Sequence, residues 1–288
     1  MEQETGLSIR LQSGGAVLDL LPEVGGAVGA FSIDGFDVLR RAPEGTRDVL
    51  QTACFPLVPF FSRIAHGRFT FRGEEISLKR NFGDHPHVLH GQGWQNPWRV
   101  EARAEDNALL VYEHAAEAWP WDYRAEQRFA LAPNGLAAEL RLTNTSARAM
   151  PASLGFHPYF PRAGTTVRAD VDGVWLADET VMPTTRAPKE HFLDLAHGAD
   201  VTHASFVDNC HFGWKGRAAI TCDGQRIVMT ANPALSFLHV FLPRGESFFC
   251  VEPVSAMPDF LRHDPRYSGL RVLEAGESFA VSMTLARA

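Results

Sequence analysis

The sequence predicts an all-β protein built as a large antiparallel sandwich or barrel, and three observations carry that reading. Gly (24) and Pro (18) punctuate the whole 288-residue chain, as frequent turns require. Between them lie short runs in which apolar and polar residues alternate with period two, the pattern of a half-buried strand. No long segment repeats its apolar residues every 3.6 positions, so helices of ordinary length are not expected. Many short strands at regular spacing describe a sandwich or barrel.

Taken in order, Leu7–Leu11 and Ala16–Leu20 open the set of strand-like runs. Arg68–Phe71 and Leu109–Tyr112 follow. In Leu136–Leu142, Leu140 and Leu142 share one face of an extended segment. Pro133-Asn134-Gly135 marks the turn before it. Residues 186–200 carry neither period and are expected to be mostly loop, with at most one helical turn. Ala218–Thr221 and Ile227–Thr230 flank Asp223-Gly224, a hairpin signal. Phe237–Leu242, Phe248–Val251 and Phe279–Leu285 complete the set. The strand pattern runs from about residue 7 to 285 with no linker or charge block. One large β domain over 1–288 is therefore expected rather than two small ones.

Composition narrows the function classes. A hydrophobic fraction of 45% and a charged fraction of 21% suit a soluble globular chain. A net charge of −7 speaks against nucleic-acid binding. No run of 18 apolar residues appears, so no membrane association is expected. The N-terminus holds Glu2, Glu4 and Arg10 rather than an apolar secretory signal. Cys54, Cys210, Cys222 and Cys250 are scattered, with no Cys-x-x-Cys pair, so neither a disulfide framework nor a zinc site is expected. The cysteine usage points to a reduced cytoplasm; a monomer or homodimer without a cofactor is expected. Only Lys79, Lys189 and Lys215 stand against 24 Arg. Coding bias is the larger share of that imbalance, but arginine also suits anion binding.

Four segments could carry chemistry. In Phe55–Arg68, Arg63 follows an apolar run broken by Pro56 and Pro59; such an Arg is either paired inside the fold or reaching a ligand. Asp84–Gly91 holds His85, His87 and His90. A metal is the minority reading there, because no further carboxylate or thiol sits at a recognisable spacing. A structural role fits His85 and His87; hydrogen bonding to a polar ligand fits His90. His157 lies in the apolar, aromatic Ser153–Pro161, where Pro158 is expected to interrupt a regular ladder. An imidazole in that setting can act as general acid or base, or can be a core histidine. Glu252 follows the apolar Phe248–Val251, and Pro253 is expected to stop the strand. A carboxylate so placed has a raised pKa unless paired, for instance with Arg63. Asp208, in Phe206–Trp214, is a fifth candidate or a turn residue.

These segments together resemble the aldose 1-epimerase (galactose mutarotase) family over nearly the whole chain. The matching motifs occur in the family's order: Leu21–Gly26, Ser62-Arg63-Ile64, Leu89-His90-Gly91, Trp119-Pro120-Trp121, Gly155–Phe160, Asp208-Asn209-Cys210 and Glu252-Pro253. Pro56–Pro59, Asp208–Cys210 and Gly213-Trp214 are most similar to a less-characterised bacterial branch. The resemblance implies a large antiparallel β-sandwich, the galactose mutarotase-like supersandwich, with a sugar site in an open cleft on one sheet. It implies His157 as general acid and Glu252 as general base. It implies Arg63, His90 and Asp208 as ligands of sugar hydroxyls, and a monosaccharide as the substrate, with no metal. Two positions depart from the pattern: Ser62 where Asn is common, and His211 where the bacterial branch has an aromatic. Both are expected to bear on which sugar fits.

Three other readings compete. A glycoside hydrolase would use Glu252 and Asp208 as paired carboxylates and would not need His157. A sugar-binding module on the same fold would need neither acid nor base. A mutarotase for an anionic sugar would draw on Arg63, Arg68, Arg80 or Arg162. Trp98, Trp121 and Trp214 are candidate stacking faces, with a core role the simpler expectation.

Overall fold

The structure is a computed structural model that describes residues 8–288; Glu2, Glu4 and Leu7 lie outside the described residues. Two large antiparallel sheets dominate it. The eleven-stranded sheet runs Ile9–Ser13, Ala16–Leu21, Ala27–Ile33, Cys54–Leu57, Gly155–Pro161, Phe248–Val254, Phe237–Leu242, Val207–Phe212, Gly173–Ala177, Pro183–Ala187, with Phe36–Asp37 added beside Ala27–Ile33. The nine-stranded sheet runs Arg99–Arg103, Asn107–His114, Tyr123–Ala132, Gly135–Asn144, Ser278–Arg287, Gln225–Ala231, Arg217–Cys222, Thr165–Ala169, Ala199–Asp200. Apolar side chains of both sheets merge into one buried cluster that extends from Ile9 to Leu285.

The local chemistry explains the hairpins. Asp223 and Gly224 both adopt positive φ (48° and 74°) between paired strands, the geometry that matches the right-handed twist of a two-residue hairpin. Tyr123–Ala132 and Gly135–Asn144 pair from Ala132↔Gly135 to Tyr123↔Asn144, closing tightly at Pro133-Asn134. Residues 188–198 form turns and loop between Pro183–Ala187 and Ala199–Asp200, without a helix.

Burial separates the two sheets by role. In the nine-stranded sheet, Tyr123–Ala132 alternates buried and more exposed residues along its length, as one wetted face demands. The five central strands of the larger sheet are buried on both faces. One face packs on the core. The other is covered by loops, and it carries the polar side chains described below.

Two expectations about proline are corrected here. Pro253 does not stop its strand: Phe248–Val254 runs through it, with Leu238↔Pro253 and Phe237↔Val254 in register. Pro158 likewise sits inside Gly155–Pro161, opposite Cys54. A proline removes one backbone donor, and the flanking pairs hold the ladder on both sides. Glu252 therefore stands within a central strand rather than at its end.

Candidate active site

Strand register assembles the site. His157 pairs with Phe55 on one side. On the other, Gly155↔Val254 and Tyr159↔Cys250 bracket it, which sets His157 across from Glu252. Glu252 pairs with His239, and His239 with Cys210. Side chains alternate along a strand, so Asp208, two residues from Cys210, joins the same face. One row across four adjacent strands thus reads Phe55, His157, Glu252, His239, with Asp208 at its end.

The contacts along this row are short and buried. His157 Nε2 lies 3.5 Å from Glu252 Oε1, with the residues 7% and 2% exposed. His239 Nε2 meets Asp208 Oδ1 at 2.7 Å. Arg63 Nη2 donates to Asp208 Oδ2 at 3.1 Å. The aromatic setting is equally specific. His157 stacks on Tyr159 at 4.7 Å and 19°, and Phe55, backed by Trp94, lies 4.4 Å from the imidazole.

Arg63 and His90 arrive from loops above the sheet. Arg63–Ile64 pairs with Val88–Leu89 as a two-stranded ribbon. Asp259 fixes its position: its backbone N–H donates to Arg63 O, and its carboxylate accepts from the Ala65 N–H. Ser153 Oγ accepts from the Phe61 N–H. His90 (φ 55°) donates its backbone N–H to Ser62 O and accepts the Ser62 N–H at Nδ1. That acceptance leaves the proton of neutral His90 on Nε2, a donor. Gly91 then turns sharply at φ 73°, and a Cβ there would stand 2.3 Å from Pro59 Cδ.

Electrostatics set the protonation of these groups. Burial drives His157 down to about 3, with His239 and Arg40 adding to the shift. Burial pushes Glu252 well above the usual carboxylate range, and the nearby Asp208 charge adds to it. Burial also takes His90 far below its usual value. Asp208 ends low despite burial, because Arg63 and the His239 hydrogen bond favour its anion. The proton shared by His157 and Glu252 therefore rests on Glu252. The row also leaves polar atoms without partners: His157 Nδ1, Glu252 Oε2, His239 Nδ1 and Arg63 Nε. Buried polar atoms are normally paired, so these four are free to bond a polar ligand.

The structure thus brings Arg63, His90, His157, Asp208 and Glu252 together. Arg63 pairs with Asp208, whereas Glu252 pairs with His157; the suggested Arg63–Glu252 bridge is replaced by these two. His239 was not singled out in the sequence. The available signal was a lone His in the otherwise apolar Phe237–Leu242. Other candidates lie elsewhere. His87 binds the His66 N–H and Thr180 Oγ1, a structural role. Arg162 is a buried clamp that donates to the carbonyls of Val201, Pro243 and Ala204. Arg68 and Arg80 are exposed. Trp98, Trp121 and Trp214 belong to the core. His211 turns to the opposite face from Asp208, fully buried, with Nδ1 3.3 Å from Leu238 O and Nε2 unpartnered. Its departure from the aromatic pattern therefore does not reach the site row.

The family profile described as Aldose 1-epimerase matches residues 8–286. The chain belongs to the aldose 1-epimerase family. Among its relatives is the uncharacterised protein YphB of Escherichia coli (strain K12), 33% identical over 96% of this chain and 97% of that protein. A crystal structure of an Escherichia coli K12 protein, provisionally named an aldose 1-epimerase, superposes with a TM-score of 0.90 at 32% identity, covering 98% of each chain. A galactose mutarotase-like protein of Clostridium acetobutylicum shares the fold at a TM-score of 0.85 and 20% identity, over 98% of this chain and 95% of that one. Among the described residues no helix is long and apolar enough to cross a membrane.

Proposed function

We propose that the chain is a cofactor-independent mutarotase that interconverts the α and β anomers of a sugar, with His157 as general acid and Glu252 as general base. The observation that carries this reading is the 3.5 Å His157–Glu252 pair on adjacent buried strands, with unpartnered atoms on both residues.

The cycle conserves protons. A bound cyclic sugar meets the pair as Glu252 carboxylate and His157 imidazolium. Glu252 takes the proton of the anomeric hydroxyl while His157 gives one to the ring oxygen. The C1–O5 bond breaks and the carbonyl forms. The pair is then a neutral carboxyl and a neutral imidazole, the distribution that burial favours in this site. Rotation about C1–C2 presents the other carbonyl face, and reversal of both transfers closes the ring as the other anomer. The dry site thus opposes the ion pair at the start and favours the protonation state reached on opening, so its electrostatics act differentially along the reaction. Asp208, Arg63, His90 Nε2–H and His239 Nδ1 supply acceptors and donors for the remaining hydroxyls.

A neutral hexose is the favoured substrate. Of the four arginines offered for an anionic sugar, only Arg63 reaches the site, and Asp208 neutralises it. Asp208 is held as an anion by two partners, which also suits it poorly to the acid role a glycoside hydrolase would require. Two-dimensional exchange NMR at anomeric equilibrium, run over glucose, galactose, fructose, a hexose 6-phosphate and a sulfosugar, tests the reading. Accelerated exchange of at least one neutral sugar is expected. Exchange confined to the anionic sugars would overturn the substrate assignment, and no acceleration of any sugar would favour a binding module.

A further inference from the structure

The face that carries the site row also holds a thiol that the proposed chemistry does not use. Cys250 lies two residues before Glu252 on the same strand and pairs with Tyr159, so it faces the same side of the sheet. A ligand atom from each of Cys250, His157 and Glu252 lies within 4.8 Å of the others, and all three residues are buried. Zinc holds nitrogen and oxygen ligands at about 2.0–2.2 Å and sulfur at about 2.3 Å, so neighbouring tetrahedral ligands stand roughly 3.3–3.7 Å apart. The His157–Glu252 separation of 3.5 Å already meets that spacing. Cys250 Sγ, within 4.8 Å of the other two ligand atoms, has to move closer to complete a three-ligand face. Glu252 Oε2 is buried without a partner, so the carboxylate has a second oxygen to offer the same cation.

We propose that Cys250, His157 and Glu252 form a site for a soft divalent cation of the zinc class, and that its occupation excludes the sugar. The geometry of the three ligands stands apart from the catalytic reading; only the competition with sugar rests on that reading. Binding requires the thiolate and the carboxylate, so the Cys250 thiol proton and the proton resting on Glu252 both leave to solvent. Affinity therefore rises with pH. Sequence spacing alone hides such a site, because its ligands come from two strands that lie 93 to 95 positions apart.

Titrating the full chain with Cd²⁺ and following the ultraviolet cadmium–thiolate band tests this. One thiolate-bound Cd²⁺ per chain is expected in the wild type and in Cys210→Ala. The band should vanish in Cys250→Ser and Cys250→Ala, with the Zn²⁺ concentration that half-inhibits anomer exchange raised roughly 100-fold. A sugar shown to exchange should compete the band away. No band in the wild type, or a band that persists in Cys250→Ser, overturns the proposal. The spectroscopic readout does not depend on turnover, so a protein that accelerated no sugar would leave the metal test decidable.

Discussion

At the scale of single residues, the protonation of the His157–Glu252 pair decides how activity responds to pH. The two groups titrate as a unit. The unit is inactive when it gains a second proton and when it loses the shared one. Burial sets the first limit near the value of about 3 found for His157 and carries the second far above the ordinary Glu range. The kcat/KM profile is therefore expected to be bell-shaped with a broad plateau through neutral pH, its acid limb lying below pH 5. An acid limb centred near 6.5, the value of an unperturbed histidine, would show that His157 titrates as a solvated imidazole. His211 offers a separate test of burial. Its Nε2 has no partner, and an unsatisfied buried polar group costs about 1–3 kcal/mol. His211→Phe should raise stability by roughly 1 kcal/mol at pH 7 while leaving anomer exchange unchanged. A loss of activity would place His211 in the site after all.

At the scale of elements, the site is a product of register. His157, Glu252, His239 and Asp208 come from four strands, and no short window of sequence contains more than one of them. His157 and Glu252 were legible because each sits in a family motif beside a proline. The prolines themselves were misleading: Pro158 and Pro253 read as strand ends, yet neighbouring pairs carry the ladder through both. His239 had no such motif and became visible only when Glu252 was paired across from it. Ten of the 26 strands among the described residues were legible from their alternating or apolar runs, including Phe237–Leu242 at its full extent. Short ribbons such as Arg63–Ile64 with Val88–Leu89 were not, because two residues carry no period. That ribbon depends on Gly91, whose positive φ and close approach to Pro59 leave no room for a side chain. Gly91→Ala should therefore displace His90, raise KM several-fold and cost on the order of 1–3 kcal/mol, measured by urea unfolding and sugar kinetics. An unchanged KM would detach His90 from substrate binding.

At the scale of the whole molecule, a sheet buried on both faces fills its interior with titratable groups, and these shape stability. Burial lowers His90, His157 and His211. Between the folded values and about 6.5, the unfolded chain binds protons that the folded chain refuses, so stability falls as pH falls through that window, by up to about 1.4 kcal/mol per pH unit for each group. Glu252 and Asp259 act in the opposite sense. Burial raises both, Asp259 to about 6, so the folded chain keeps protons that the unfolded chain has released above about pH 4. With His87, His114 and His263 lowered as well, the histidines outnumber the two raised carboxyls below about pH 6. Above about 6.5 the histidines no longer contribute, and the raised Glu252 makes stability decline as pH rises for as long as it keeps its proton. Urea unfolding should therefore show greatest stability near pH 6–7, with a steeper loss on the acid side. A maximum near pH 4–5 would contradict these buried protonation states.

In the proposed mechanism His157 and Glu252 act as one proton-transfer unit, and anomer exchange rates of variants test that most directly. His157→Ala and Glu252→Gln should each reduce kcat by about 10²–10⁴-fold. The double variant should be scarcely worse than the weaker single, because residues acting as a unit are not additive. Wild-type exchange in Glu252→Gln, or losses that simply multiply in the double variant, would contradict the shared mechanism.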